Sequence, residues 1–355
     1  MVGSDTSLNY LLRNRDFLFF IIGRFSNVVG VQILTVAVGW HVYQLTGDPL
    51  DLGYIGLAQF LPALFLFLIA GYVCDKYDRR IILFLCNIAH FIVVVMLMLA
   101  LWGEYNDVRI IFGILVLHGA ARAFFHTAGQ AILPNIVSTE AFPKAVAYSS
   151  SVNKAEQLIG PALGGGLIAW AGDWTYYVTL SMFALSALSS IIISARLKLE
   201  APDKMTISTL LGGFNFIWKD KIVLGAISID LMAVLLGGVM GLLPIYASDI
   251  LKVGADGLGI MRAMPGVGSL IMGLWLTQIV SPRFIGPTLF LSLFIFGLSI
   301  VVFSVSEVFW LSLIALTIYG AADMVSVYIR LTLVQLATPD QMRGRVSAVN
   351  SVSIN

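Results

Sequence analysis

Long apolar segments, most of them about 20 residues or more, are separated in this chain by short polar connections. No other feature constrains the fold as strongly. The hydrocarbon core of a bilayer is crossed by about 20 helical residues, whereas a barrel strand needs only about 9–11 of alternating polarity. Within lipid every backbone N–H and C=O must be satisfied inside its own segment, so these runs can only be helices. The composition agrees: 59% of residues are hydrophobic and 12% charged, where a soluble domain carries about 25% charged residues. Mean hydropathy is +0.92. An ordinary soluble enzyme and a disordered chain are both excluded. A net charge of +1 provides no bulk attraction to nucleic acid.

Hydropathy predicts spans near 17–43, 53–73, 80–102, 109–132, 145–170, 175–196, 222–246, 257–280, 285–304 and 308–330, with an eleventh beginning near Val346 and cut at Asn355. Residues 1–16 are polar and the apolar run after them extends to about Tyr43, too long for the core of a cleaved signal peptide. It reads as a permanent span. Cys74 and Cys86 offer neither a disulfide framework nor a metal cluster.

Lys and Arg set the orientation. With the N-terminus in the cytoplasm, 15 of the 21 fall on the cytoplasmic face and two, Arg109 and Lys252, on the other. Four lie within spans: Arg24, Arg122, Lys154 and Arg262. Trp40, Tyr43, Trp102, Tyr105, Trp170, Trp174, Tyr176, Tyr177 and Trp310 all fall at outer span ends, as an interfacial belt would. The longest polar connection, 201–221, carries Leu210, Leu211, Phe214, Ile217 and Trp218 at helical spacing, and is expected to be a cytoplasmic linker with a helix lying on the membrane surface.

A shift of 200 residues aligns Leu133 with Leu333, Val146 with Val346, Ser151 with Ser351 and Val152 with Val352. With one gap, Gly119-Ala120-Ala121 meets Gly320-Ala321-Ala322. Two parallel repeats of six spans are an architecture of transporters. The expected organisation is a first bundle at 1–200, the linker at 201–221, and an incomplete second bundle at 222–355. In this pattern Asn355 corresponds to about Ala155, so the repeat predicts a fragment lacking most of span 11 and all of span 12.

The loop after span 2 reads Gly71-Tyr-Val-Cys-Asp75-Lys76-Tyr-Asp78-Arg79-Arg80. It resembles the signature loop of the major facilitator superfamily, G-x-x-x-D-[RK]-x-G-[RK]-[RK], with Asp78 in place of the second Gly. The resemblance implies that Gly71 permits close helix approach, and that Asp75 meets the N-terminus of span 11 to latch the cytoplasmic side. Span 5 carries Gly160-Pro161-Ala-Leu-Gly164-Gly165, similar to the G-x-x-x-G-P-x-x-G-G motif of that superfamily's exporters, with Glu156 at the first Gly. The whole chain is similar to bacterial drug and siderophore exporters of the macrolide and enterobactin types. Generic helix packing is the plainer reading of the span 5 glycines.

Arg24, Arg122, Lys154, Glu156, Asp230, Arg262 and Asp323 are charged residues inside spans. Each costs several kcal/mol there unless it is paired or hydrated. Arg122 and Asp323 occupy matching places in the repeat, and His118 and His126 lie four residues either side of Arg122, along one face. Burial disfavours a carboxylate and a neighbouring cation favours it, so alternating access can couple protonation to conformation. Asp230 and Glu156 are the first candidates for a proton carrier and Asp323 the third; the plainer reading is a static ion pair. Absence of a Walker A loop argues against ATP hydrolysis, neither a nucleophile elbow nor an H-E-x-x-H helix occurs in the sequence, and no cofactor or metal is called for.

The sequence therefore predicts an all-α membrane protein of about ten complete spans: a secondary transporter, not an enzyme. It is expected in the bacterial inner membrane, as a monomer, exporting an amphipathic small molecule against protons. A facilitator-type importer of a metabolite, a lipid or lysophospholipid flippase and a non-transporting membrane receptor are the alternatives.

Overall fold

A computed structural model describes residues 11, 13–103, 107–138, 140–194, 224, 225, 228, 238–279 and 285–337. Its helices are α1 (Arg15–Thr46), α2 (Pro49–Lys76), α3 (Arg79–Trp102), α4 (Val108–Ile136), α5 (Phe142–Ala171), α6 (Trp174–Ile192), α7 (Val239–Ile245, continued by a π-helical turn Tyr246–Ile250), α8 (Gly254–Ile279), α9 (Ile285–Ser304) and α10 (Phe309–Ala337). Among the described residues, eight helices are long and apolar enough to cross a membrane. The linker at 201–221, Asp230 and the start of span 11 lie outside the described residues.

Helix starts are set by short polar side chains. The carboxamide of Asn14 accepts from the Phe17 amide, and Asp48, Asp78 and Asp107 accept from the amides of Leu50, Arg80 and Arg109. Each satisfies a donor that the first turn leaves unpaired. α1 ends at Gly47, whose φ of 64° and N–H to the Tyr43 carbonyl form a left-handed cap.

The described chain divides into two compact units, Met1–Pro202 with Gly254–Gly259, and Asp203–Val253 with Ile260–Asn355. In the first, α1 packs on α5 and α6, α2 on α4, and α3 on α4 and α6. Its buried core gathers Phe17, Phe20, Leu83, Phe125, Ile132 and Ile193. In the second, Leu289, Val325 and Ile329 join α9 to α10. Large exposed side chains such as Phe65, Leu99 and Phe294 are apolar, as lipid contact requires.

The repeat extends to contacts within each unit. A Cβ on Gly119 of α4 would strike the Gln59 carbonyl of α2, and one on Gly320 of α10 would strike the Pro265 carbonyl of α8. Gly119 and Gly320 are the residues aligned by the repeat, so the same even-numbered pairs approach backbone to backbone through the same glycine.

The aromatic belt needs one correction. Trp102, Trp170, Trp174, Tyr177 and Trp310 are exposed, but Tyr43 and Tyr176 are buried. Tyr176 O–H lies 2.9 Å from His41 Nδ1. Its position at a span end reflects a polar partner inside the bundle and not a headgroup contact.

Candidate functional site

At the loop between α2 and α3 the arginines tie helix ends together. Arg79 donates to the carbonyls of Cys74 at 3.0 Å and Ala131 at 2.7 Å and to Asn135 Oδ1 at 2.6 Å. It thereby fastens the C-terminal end of α2 to that of α4. Arg80 forks onto the Asp78 carboxylate, with Nη2 to Oδ2 at 2.6 Å, and its Nη1 donates to the Ile193 carbonyl beyond α6 at 2.9 Å. A guanidinium suits unpaired carbonyls at helix C-termini because its charge also complements their dipoles. Lys76 lies over the Tyr72 and Tyr77 rings. Asp75 is more exposed, 3.7 Å from Arg79, and its expected partner in span 11 lies outside the described residues. Gly71 meets nothing within 4 Å of an added Cβ, so no close helix approach occurs there in the described chain.

Asp78 departs from the superfamily pattern without harm. Its φ is −62°, an ordinary value for any residue, and its carboxylate caps α3. The hydrogen bonds from Arg80 hold that carboxyl below its ordinary value of 3.8. The folded chain thus binds this proton less readily than the unfolded one. The stabilisation is intact above about pH 4 and is lost as pH falls through the depressed value. Asp78→Asn is expected to flatten the acid limb of thermal stability between about pH 5 and pH 2, as read by unfolding scans in detergent. Arg79→Ala should cost about 2–3 kcal/mol by the same measurement, and Arg79→Lys should recover only part, because an ammonium cannot reproduce the fork.

The glycines of α5 form a packing seam. An added Cβ on Gly160 would lie 2.7 Å from Gln32 Cβ, and one on Gly164 would lie 3.1 Å from the Ile33 Cα. Gly165 closes on Gly259, which belongs to the same unit. Pro161 sits within this helix. Gly160 meets α1 near Val29 and Gln32, and Gly164 meets it near Ile33 and Val36, so the two helices run in parallel register.

Glu156 is one turn before Gly160, on the same stripe. Its exposure is 0%, and neither carboxyl oxygen has a hydrogen-bond partner. Arg24 Nη1 donates to Ser149 Oγ at 2.8 Å. The charges of Arg24 and Glu156 act on each other.

His118, Arg122 and His126 follow one another along α4, and the two imidazoles take different partners. His118 turns inward, its Nδ1 3.0 Å from His90 Nδ1, with both Nε2 atoms unpartnered. Arg122 is exposed and His126 half-buried, the latter beside Gln130. His90 stacks on Phe183. Asn27 donates to Asn87 Oδ1 at 2.8 Å, and Asn87 to the Leu83 carbonyl. His90 and this amide pair are missing from the sequence reading; the available signal was polar residues inside apolar spans, His90 lying three residues after Asn87 on α3. In the second unit, Arg262 of α8 has an unpartnered buried Nε, and Asp323 of α10 lies half-buried. The side chain of Lys154 lies outside what is described. Among the described residues no cluster of three metal-ligating side chains occurs.

A sequence profile of the Major Facilitator Superfamily matches residues 20–355. The chain belongs to the major facilitator superfamily. It is accordingly a multi-pass membrane transporter of small molecules and not an enzyme. Among curated relatives, the enterobactin exporter EntS of Citrobacter koseri is 24% identical over 356 residues, covering 97% of this chain and 82% of that protein. The enterobactin exporter EntS of Escherichia coli O81 matches to the same extent. The fold is similar to that of the nucleoside transporter NupG (TM-score 0.73, 15% identity, covering 96% of this chain and 87% of that one). It is also similar to a bacterial homologue of the iron transporter ferroportin in its inward-facing state (TM-score 0.68, 16% identity, covering 98% and 89%).

Proposed function

We propose that this superfamily member is a secondary exporter of amphipathic small molecules of the drug or siderophore class, driven by protons, with Glu156 as the proton carrier. One observation carries the reading: Glu156 is fully buried with both oxygens unpartnered, on the helix that bears the exporter-like glycines. A carboxylate in that position is costly, whereas the neutral acid is tolerated. A conformational step that brings in water, or moves Glu156 against Arg24, makes ionisation affordable and releases the proton. The names of the curated relatives, enterobactin exporters, support the outward direction. The excess of Lys and Arg on alternate connections supports a cytoplasmic N-terminus in a bacterial inner membrane. The transporter works as a monomer, its halves 1–200 and 222–355 joined by the 201–221 linker. Arg122, Arg262 and Asp323 contribute to substrate binding, Asp75 to the cytoplasmic latch, and Asp230 remains the alternative carrier.

Proteoliposomes carrying the full chain and an internal pH dye test this. Addition of a transported dye, macrolide or siderophore is expected to drive proton flux, and Glu156→Gln to abolish it. Flux surviving in that variant moves the carrier to Asp230 or Asp323. No flux with any compound from a folded protein overturns proton-coupled export in favour of an importer, a flippase or a receptor.

A further inference from the structure

Arg24 faces two ways. On one side it reaches Ser149 and feels Glu156. On the other it borders a cavity of about 50 Å³ inside the first unit, bounded also by His126, Phe19, Phe20, Phe125 and Gly129. The lining contains a guanidinium and an imidazole and no carboxylate. A guanidinium offers five N–H donors, and Ser149 takes one from Nη1. The aromatic rings add positively polarised edges. A cation would be repelled here and a neutral apolar group would leave the donors unmet. The space takes a few waters or one small charged group, far less than a whole drug-sized molecule of about 300 Å³ or more.

We infer that this cavity is an anion-binding site in which Arg24 and His126 hold the oxyanion head of the transported molecule. The inference rests on the transport reading above for the identity of the occupant and names its chemistry: an anionic head on an amphipathic body.

Gly129 makes the cavity testable without altering its charges. It is buried on α4, and an added Cβ meets nothing within 4 Å, so a side chain there grows into open space. The experiment is calorimetric titration of the full chain in lipid nanodiscs with sodium benzoate, sodium chloride and neutral benzyl alcohol, at fixed ionic strength. Benzoate is expected to bind saturably and benzyl alcohol not to bind. Gly129→Val should abolish binding and Arg24→Gln should weaken it about tenfold or more. Chloride binding without benzoate binding overturns the assignment to the transported head and makes the occupant an inorganic anion. Absence of any saturable anion, or binding unchanged in both Gly129→Val and Arg24→Gln, overturns the site itself. Because the titration needs no gradient, it is independent of the flux assay. Benzoate binding alongside unaltered proton flux in Glu156→Gln overturns the carrier and leaves the site standing.

Discussion

Gly119→Val is expected to prevent stable assembly of the α2–α4 pair, with a loss of about 3 kcal/mol or more and little folded protein recovered. Even the Cβ of alanine would overlap the Gln59 carbonyl carbon, which lies 2.8 Å from where it would stand. The obstacle is backbone within a helix, so it cannot swing aside as a flexible side chain would. Gly320→Ala should behave alike, since its Cβ would lie 2.5 Å from the Pro265 carbonyl carbon. Gly113 on the same α4 and Gly297 on α9 meet nothing within 4 Å, so alanine there should be neutral or should raise stability by up to about 1 kcal/mol through helix propensity. Thermal unfolding in detergent separates the two classes. The chain has two cysteines, both free and buried, so a thiol-reactive fluorophore reports the transition directly. Equal tolerance at Gly119 and Gly113 would show that the close α2–α4 approach is not a feature of the folded protein.

Glu156→Leu should separate stability from function: a more stable protein, by about 1–3 kcal/mol, that no longer couples transport to protons. The carboxyl is at 0% exposure with neither oxygen satisfied, so the native chain bears a desolvation cost that leucine removes. Glu156→Gln keeps an unsatisfied polar group in place and should leave the unfolding temperature near that of the native protein while still losing coupling. Static pairing with Arg24 gives the opposite sign. Both substitutions would then strand a buried guanidinium and lower stability by about 3–5 kcal/mol. The same thiol-reactive scan, set beside the proton-flux assay, decides between the two.

Expected and observed helix ends show where sequence reading works. Spans expected at 17–43, 53–73 and 257–280 are helices at Arg15–Thr46, Pro49–Lys76 and Gly254–Ile279. Hydropathy registers the apolar body of each span, while the helix begins a few residues earlier. There Asn14, Asp48, Asp78 and Asp107 cap it, and none of these contributes to an apolar window. Arg79 and Arg80 were legible as a motif, but their hydrogen bonds to Ala131 and Ile193 join residues more than 50 positions apart.

Sequence alone determined that the chain crosses a membrane as helices, because only a helix satisfies its own backbone in lipid and the apolar runs have the length to span it. It also determined the parallel repeat and the family signature, which are written in residue order. Tertiary structure decided which inward polar groups meet. Positions at i±4 around Arg122 look equivalent along a helix, yet His118 turns to His90 on α3 while His126 borders the cavity beside Arg24. Those outcomes depend on which neighbour covers each side of α4, a choice fixed by the close approach of glycine-bearing helices and absent from any one helix's own periodicity.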